Sequence, residues 1–215
     1  TASLNDEAKT NRLEAEGKSG EIGALKESMG VLEGSIKAVA DAVHIPQILY
    51  NVPGRTASNV LPETVARLSH ISNIVGIKDA TADLAHLTRS KNACDNRLDF
   101  YSGDDATVMP FMVLGGSGVI SVVSNIAPKS MKALTTAITA GDLDSAKALH
   151  FAMQGLIDAM FVESNPIPVK AACELLGWMA GDLRLPLKPL TTAQYVDLKA
   201  VMAAYESDIE TLKVV

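Results

Sequence analysis

Between residues 22 and 43 apolar positions recur at alternating spacings of three and four: Ile22, Leu25, Met29, Leu32, Ile36, Val39 and Val43. This is the a/d seam of a heptad repeat, and Glu21, Lys26, Glu27, Glu33 and Lys37 fall between its members as a solvated face. The spacing predicts a helix, and Asn5-Asp6-Glu7 opens a helical stretch ahead of it. Gly17, Gly20, Gly23, Gly30 and Gly34 interrupt the pattern, each weakening a helix interior by roughly 1 kcal/mol relative to Ala. Such a helix must draw its stability from packing against another element.

After residue 43 the period changes. Ile45–Tyr50, Asn73–Lys78, Leu98–Gly103 and Gly118–Val123 are short apolar runs, each closed by turn residues or a helix start. Helices are predicted between and after them: one opened by Pro62 near its first turn, Leu84–Ser90, Asp105–Leu114 and Pro128–Ala140. Four βα units in succession point to a parallel sheet. The strands run apolar rather than alternating, as they do when both faces are covered. The rest reads as helical: Leu143–Met160, a segment from Ala171 to Leu176, and a last helix capped by Thr191 or Thr192. The apolar face of that helix is Leu198, Val201, Met202, Tyr205, Ile209 and Leu212. A (β/α)8 barrel takes about 250 residues. Four strands therefore make half a TIM-barrel-type α/β fold (44–141), with a helical lead (1–43) and a C-terminal helical domain (142–215). A doubly wound sheet of four strands is the competing architecture.

Composition narrows the function classes. A net charge of −6 repels phosphate backbones, so nucleic acid is not an expected partner. No apolar run approaches the roughly 18–20 residues of a membrane helix, and no signal peptide opens the chain, so a cytoplasmic location is expected. Cys94 and Cys173 stand apart with no CxxC or Cys/His cluster near them; two buried free thiols are expected, and no metal. The histidines His44, His70, His86 and His150 share no metal-binding spacing and read as surface or cap residues.

Lys78 ends an apolar strand, and a lysine at the C-terminal end of a barrel strand points into the mouth where such folds keep their active sites. Burial there would disfavour the ammonium and free the amine to attack a carbonyl; the alternative is a lysine snorkelling to water. Tyr50 ends the preceding strand and could pass protons to a reacting carbonyl, or be an interior aromatic with a satisfied hydroxyl. Arg55, five residues on, could hold a carboxylate, or be a solvated loop residue. Gly115-Gly116-Ser117-Gly118 closes a helix and opens a strand, the reverse of a dinucleotide fingerprint. Close packing at a helix C-cap explains it better.

Five segments together resemble the dihydrodipicolinate synthase family of class I pyruvate aldolases, in the N-acetylneuraminate lyase superfamily. They are Tyr50-Asn51-Val52-Pro53-Gly54-Arg55-Thr56, Gly76-Ile77-Lys78-Asp79-Ala80, Ser102-Gly103-Asp104-Asp105, Gly115–Ser121 and Phe161–Lys170. The resemblance implies that pyruvate forms an imine on Lys78, that Tyr50 relays protons, and that Arg55 meets the carboxylate of aspartate semialdehyde. It places the backbone carbonyl of Ile120 at the pyruvate site and Gly103 in the substrate pocket. It further implies a lyase of lysine and diaminopimelate biosynthesis, with no cofactor beyond the imine, acting as a homo-oligomer, a tetramer or dimer of (β/α)8 subunits. A related aldolase, such as an N-acetylneuraminate lyase, shares the lysine and tyrosine.

The chain departs from the family pattern at its start. The family's Thr-Thr-Gly-Glu and Tyr-Tyr-Asn motifs, which complete the proton relay, are absent, and Thr1-Ala2-Ser3-Leu4-Asn5 resembles the segment just after the first of them. With half the barrel missing, a catalytically impaired assembly module is a third reading. In it, the seam from Ile22 to Val43 covers the open interior of the half-barrel or pairs with another chain.

Overall fold

The computed structural model describes residues 30–211, with side chains described to residue 206. The helix start at Asn5-Asp6-Glu7, the seam positions Ile22, Leu25 and Met29, and Ile209 and Leu212 as side chains lie outside the described residues. Helix α1 covers 30–42. It is followed by β1 (Gln47–Asn51), α2 (Pro53–Thr56), α3 (Pro62–Leu68), β2 (Ile74–Asp79), α4 (Leu84–Ala93), β3 (Asp99–Ser102), α5 (Val108–Val113) and β4 (Gly118–Val119). A 3-10 turn (Val123–Asn125) leads into α6 (Pro128–Thr139), α7 (Leu143–Ala159), α8 (Ile167–Leu175) and α9 (Thr192–Thr211).

The four strands form one parallel sheet in the order β1-β2-β3-β4. A doubly wound sheet would reverse strand order and carry helices on both faces. Here the order is sequential and one face is covered. Leu49, Ile77 and Phe100 point to the helix side, where they pack with Val65 and Leu68 of α3, Leu87 of α4 and Phe111 of α5. On the other face Ile48 and Tyr50 are about half exposed, at 48% and 51%. The expectation that both faces are covered therefore fails for the described residues. The fourth strand is also shorter than its apolar run predicts. It pairs only through Gly118 and Val119, because Asp105 Oδ2 takes the amides of Val122 and Val123 and turns the chain into the 3-10 helix.

Helix α1 lies on the helix side, not over the open face. Leu32, Ile36 and Ala40 carry its packing against α3 and the outer core, while Val39 and Val43 are exposed. The contact stripe thus keeps the seam positions Leu32 and Ile36 and then moves one residue on, from Val39 to Ala40. Around it, Glu33 receives the Arg67 guanidinium (Nε at 3.0 Å), and Asn73 Nδ2 donates to the carbonyls of Ala40 and Val43, both at 2.8 Å, closing the C-terminal end.

The second core joins the last βα units to the C-terminal helices. Val108, Met112, Val123 and Met131 share it with Leu149, Met153, Leu156, Ile157, Ala172 and Leu198. The chain leaves α6 through Gly141, at φ +76°, a left-handed position suited to glycine. Helix α8 begins at Ile167, four residues before the apolar pattern suggests, with Pro168 in its first turn where a missing N–H costs nothing. Of the two candidate caps for α9, Thr191 serves: its Oγ1 accepts from Gln194 N at 3.3 Å while Gln194 Oε1 accepts from Thr191 N at 2.9 Å, a capping box.

Two substitutions separate the heptad reading from the observed packing. Val39→Lys should change stability by no more than about 0.5 kcal/mol, as for exposed sites. Ala40→Leu should cost about 1–3 kcal/mol by overpacking. Urea unfolding of both variants measures the difference; a larger cost at residue 39 than at 40 would restore the seam.

Candidate active site

The pairing register sets one row of side chains across the open face. Tyr50 lies opposite Lys78, Lys78 opposite Tyr101, and Tyr101 opposite Gly118. Since alternate residues of a strand share a face, Ile48, Tyr50, Gly76, Lys78, Asp99 and Tyr101 belong to the open side. Val75 is skipped where the β1–β2 register shifts, which keeps Lys78 level with Tyr50. Gly76 makes room for Tyr101, while Gly118 only borders it. A Cβ on Gly76 would lie 3.3 Å from its ring, and one on Gly118 would lie 3.7 Å from it. Tyr101 had no motif to announce it. Only its register with Lys78 places it in the row.

Lys78 and Tyr50 are in direct contact. The ammonium nitrogen sits 4.2 Å from the centroid of the Tyr50 ring, a cation–π distance. The contact is with the ring face, so the ring holds the lysine tip above the sheet. Lys78 is half-buried rather than enclosed, so the burial invoked for it from the sequence is not supplied by the described residues.

The other expected residues lie just beyond the ends of three different strands. Arg55 lies in α2, just past β1, and its Nη2 donates to the carbonyl of Asn165 at 3.2 Å, joining the Tyr50–Thr56 and Phe161–Lys170 motifs. Gly103 follows β3; its N–H donates to Asp79 O at 2.7 Å, and a Cβ there would come within 2.7 Å of Ala80 Cβ. It is a close-approach glycine that seats the segment following Lys78. Ile120 lies immediately beyond β4, not within it, 42% exposed, with its N–H bonded to Ser102 O at 2.9 Å. The glycine run behaves as a helix C-cap. Gly115 has φ +93°, Gly116 N–H donates to Phe111 O, and a Cβ on Gly116 would collide with the Phe111 ring at 2.3 Å.

On the helix side of the same strand ends stand buried polar residues that hold these loops. Asn51, Asp79, Ser102 and Asp105 are each no more than 2% exposed. Asn51 Oδ1 accepts from Val60 N–H at 3.1 Å, Asp79 Oδ1 from Thr81 N–H at 2.9 Å, and Ser102 Oγ from Asp104 N–H at 3.2 Å. His86 corrects the reading of the histidines as surface or cap residues. It is 3% exposed, its Nδ1 is 3.0 Å from Asp79 Oδ2, and its Nε2 is 2.9 Å from Val60 O. The Asp79 hydrogen bond raises its pKa above the usual histidine value against the opposing effect of burial, and the Val60 carbonyl adds to the rise. The sequence signal was faint: a His on the inward face of α4, three residues after its capping Asp83. Cys94 and Cys173 are both buried and free, and among the described residues no three His, Cys, Asp or Glu side chains gather as metal ligands. An apolar hollow lined by Leu156, Trp178, Met202 and Tyr205 lies between α6 and the C-terminal helices and includes none of the expected site residues.

A parallel half-barrel with a lysine at a strand's C-terminal end, leaning on a tyrosine from the preceding strand, is the architecture of a (β/α)8-type fold with its lysine on the side where such barrels keep their sites. Comparison with known proteins makes the assignment specific. The sequence profile of the Dihydrodipicolinate synthetase family matches residues 25–205, and the chain belongs to that family. It is 52% identical over 170 residues to the 4-hydroxy-tetrahydrodipicolinate synthase of Geobacter sp. (strain M21), covering 79% of this chain and 59% of that protein. A solved dihydrodipicolinate synthase from Acinetobacter baumannii, complexed with pyruvate, superposes with a TM-score of 0.80 at 42% identity, over 83% of this chain and 61% of the other. The 4-hydroxy-tetrahydrodipicolinate synthase of Methylacidiphilum fumariolicum SolV superposes with a TM-score of 0.84 at 32% identity, over 86% and 62%. The chain thus spans about three-fifths of the length of these relatives.

The strand-end clamps are testable apart from any activity. Asp105→Ala leaves the buried amides of Val122 and Val123 without a partner and should cost about 2–5 kcal/mol. Asp105→Asn keeps an acceptor oxygen and should cost markedly less. Chemical denaturation ranks the two, and equal losses would show that the carboxylate charge, not the pair of hydrogen bonds, matters.

Proposed function

We propose that this chain carries the imine-forming half of a 4-hydroxy-tetrahydrodipicolinate synthase site, acting on pyruvate and aspartate semialdehyde. The observation that carries the reading is the placement of Lys78 at the C-terminal end of β2, on the open face and against Tyr50. The deprotonated amine attacks the ketone carbon of pyruvate, and the carbinolamine loses water to give an iminium linked to Lys78. Removal of a methyl proton gives the enamine, whose carbon attacks the aldehyde carbon of the second substrate. No external cofactor enters, since the iminium itself is the electron sink.

Tyr50 is the proton-transfer group in this scheme, Arg55 holds the carboxylate of the semialdehyde, and the Ile120 carbonyl and Gly103 segment border the pyruvate. Among the described residues the outer edges of β1 and β4 have no strand partner, and in a closed barrel further strands would pair them, cover the open face and bring the remaining relay hydroxyls. A homo-oligomer in the cytoplasm suits the exposed sheet face and the two free thiols. Among the described residues no helix is long and apolar enough to cross a membrane.

Borohydride reduction in the presence of pyruvate should add one pyruvate-derived mass to the protein, located at Lys78 by peptide mapping. No adduct on the wild type, or an equal adduct on Lys78→Ala, rejects the assignment. Arg55→Ala should leave the adduct in place and raise the KM for aspartate semialdehyde by about tenfold or more, the scale of a lost charge-assisted hydrogen bond. Turnover with sugar-acid aldehydes and none with the semialdehyde would instead identify a related aldolase.

A further inference from the structure

The proposed chemistry uses the open face of the sheet and leaves unexplained the buried polar chain behind it. That chain runs from Asn51 at the end of β1, through both backbone groups of Val60, to His86 of α4 and Asp79 at the end of β2. Val60 is held at both ends, its N–H by Asn51 Oδ1 and its carbonyl by His86 Nε2. Between Asn51 and Val60 lies the segment that carries Arg55, exposed from Gly54 to Asn59. Asn51 Nδ2 also donates to Asn59 Oδ1 at 2.9 Å, so the segment is tied to the strand end at both its ends, and between them Arg55 Nη2 reaches Asn165 O.

Both oxygens facing the imidazole are acceptors, a carboxylate and a peptide carbonyl. A neutral imidazole has one N–H and can satisfy one of them; the imidazolium satisfies both. We propose that His86, as the imidazolium, is a positioning residue that latches the Arg55-bearing segment to the end of the strand presenting Lys78. The latch follows from the hydrogen-bond geometry alone. Only the statement that Arg55 meets substrate rests on the aldolase reading above.

The charged groups acting on His86 are Asp79 from β2 and Asp83 from the start of its own helix. Asp83 is also 3.7 Å from Arg89. From α3, which packs on α4, Glu63 is exposed and Arg67 is held by Glu33. The two anions favour the charged ring. The folded-state pKa lies above the ordinary 6.5, so the latch is complete below that value and is lost as pH rises through the raised one. On loss of the proton, the N–H stays with the carboxylate, the Nε2 lone pair meets the Val60 carbonyl, and the segment loses its tie to α4 while those through Asn51 and Arg55 remain.

The test is amide hydrogen exchange over residues 52–60, corrected for the intrinsic pH dependence of exchange, alongside the NMR titration of the His86 ring. In the wild type, protection of the Val60 amide and its neighbours should fall with the same midpoint as the ring titration. In His86→Gln, whose side chain donates without titrating, protection should be lower at neutral pH and flat across the range. Asp83→Asn keeps an oxygen to cap α4 and removes one anion, so both midpoints should move together to lower pH; this variant decides the matter if His86→Gln does not fold. In kinetics, His86→Gln should raise the semialdehyde KM by about tenfold, the scale of one hydrogen bond, while the borohydride-trapped adduct on Lys78 persists. Ring titration without any change in segment protection overturns the latch, as does wild-type protection in His86→Gln. Failure of the adduct in the wild type removes the aldolase reading and leaves the exchange result to decide the latch by itself.

Discussion

Backbone pairing of Lys78 with Tyr50 on one side and Tyr101 on the other sets the height of the site, and the one-sided core sets its direction. Leu49, Ile77 and Phe100 are drawn to the helices by burial of apolar surface, so the residues on either side of them must point the other way. Had the register of β2 slipped by one residue, Ile77 would face the open side and Lys78 would be forced into the outer core beside Leu87. The cost of burying that ammonium makes the slip prohibitive. Packing thus selects the chemistry's geometry before any substrate arrives.

The same alternation brings polar residues to the helix side at the strand ends, where the apolar layer stops. Asn51, Asp79 and Ser102 each follow a core residue by two positions, and each uses its side chain to hold backbone amides of the loop that follows. Asp105 does the same for the turn after β4. These side chains replace water for peptide groups that the fold has buried. The loops they hold are the ones that carry Arg55, Gly103 and Ile120, so the supporting polar layer and the reactive face are two sides of one set of strand ends.

Strand count and the place of Lys78 at a strand's end were legible in the sequence because apolar runs closed by turn residues mark the strands, whereas strand order, left open between a half-barrel and a doubly wound sheet, came only with the pairing. The glycine run was legible for a similar reason: chain direction, helix first and strand second, distinguished a C-cap from a phosphate loop. Three further features were not. The heptad seam held at Leu32 and Ile36 and failed at Val39, whose place in the contact is taken by Ala40, a small residue that allows close approach. His86 was invisible because its partners, Asp79 and Val60, are set by tertiary packing rather than spacing. The length of β4 depended on Asp105, seventeen residues or more from the amides it captures, a distance at which no local pattern can speak.

The consecutive strand order has a consequence for how the molecule is made. Among the described residues each βα unit docks beside the one synthesised just before it, so this part of the sheet can grow unit by unit at one edge. Sequence-local contacts of this kind lower the entropic barrier of loop closure and favour rapid formation. In chain order, the Tyr50–Lys78 pair can form once β2 has joined β1, before β3 and β4 extend the row and the C-terminal helices follow.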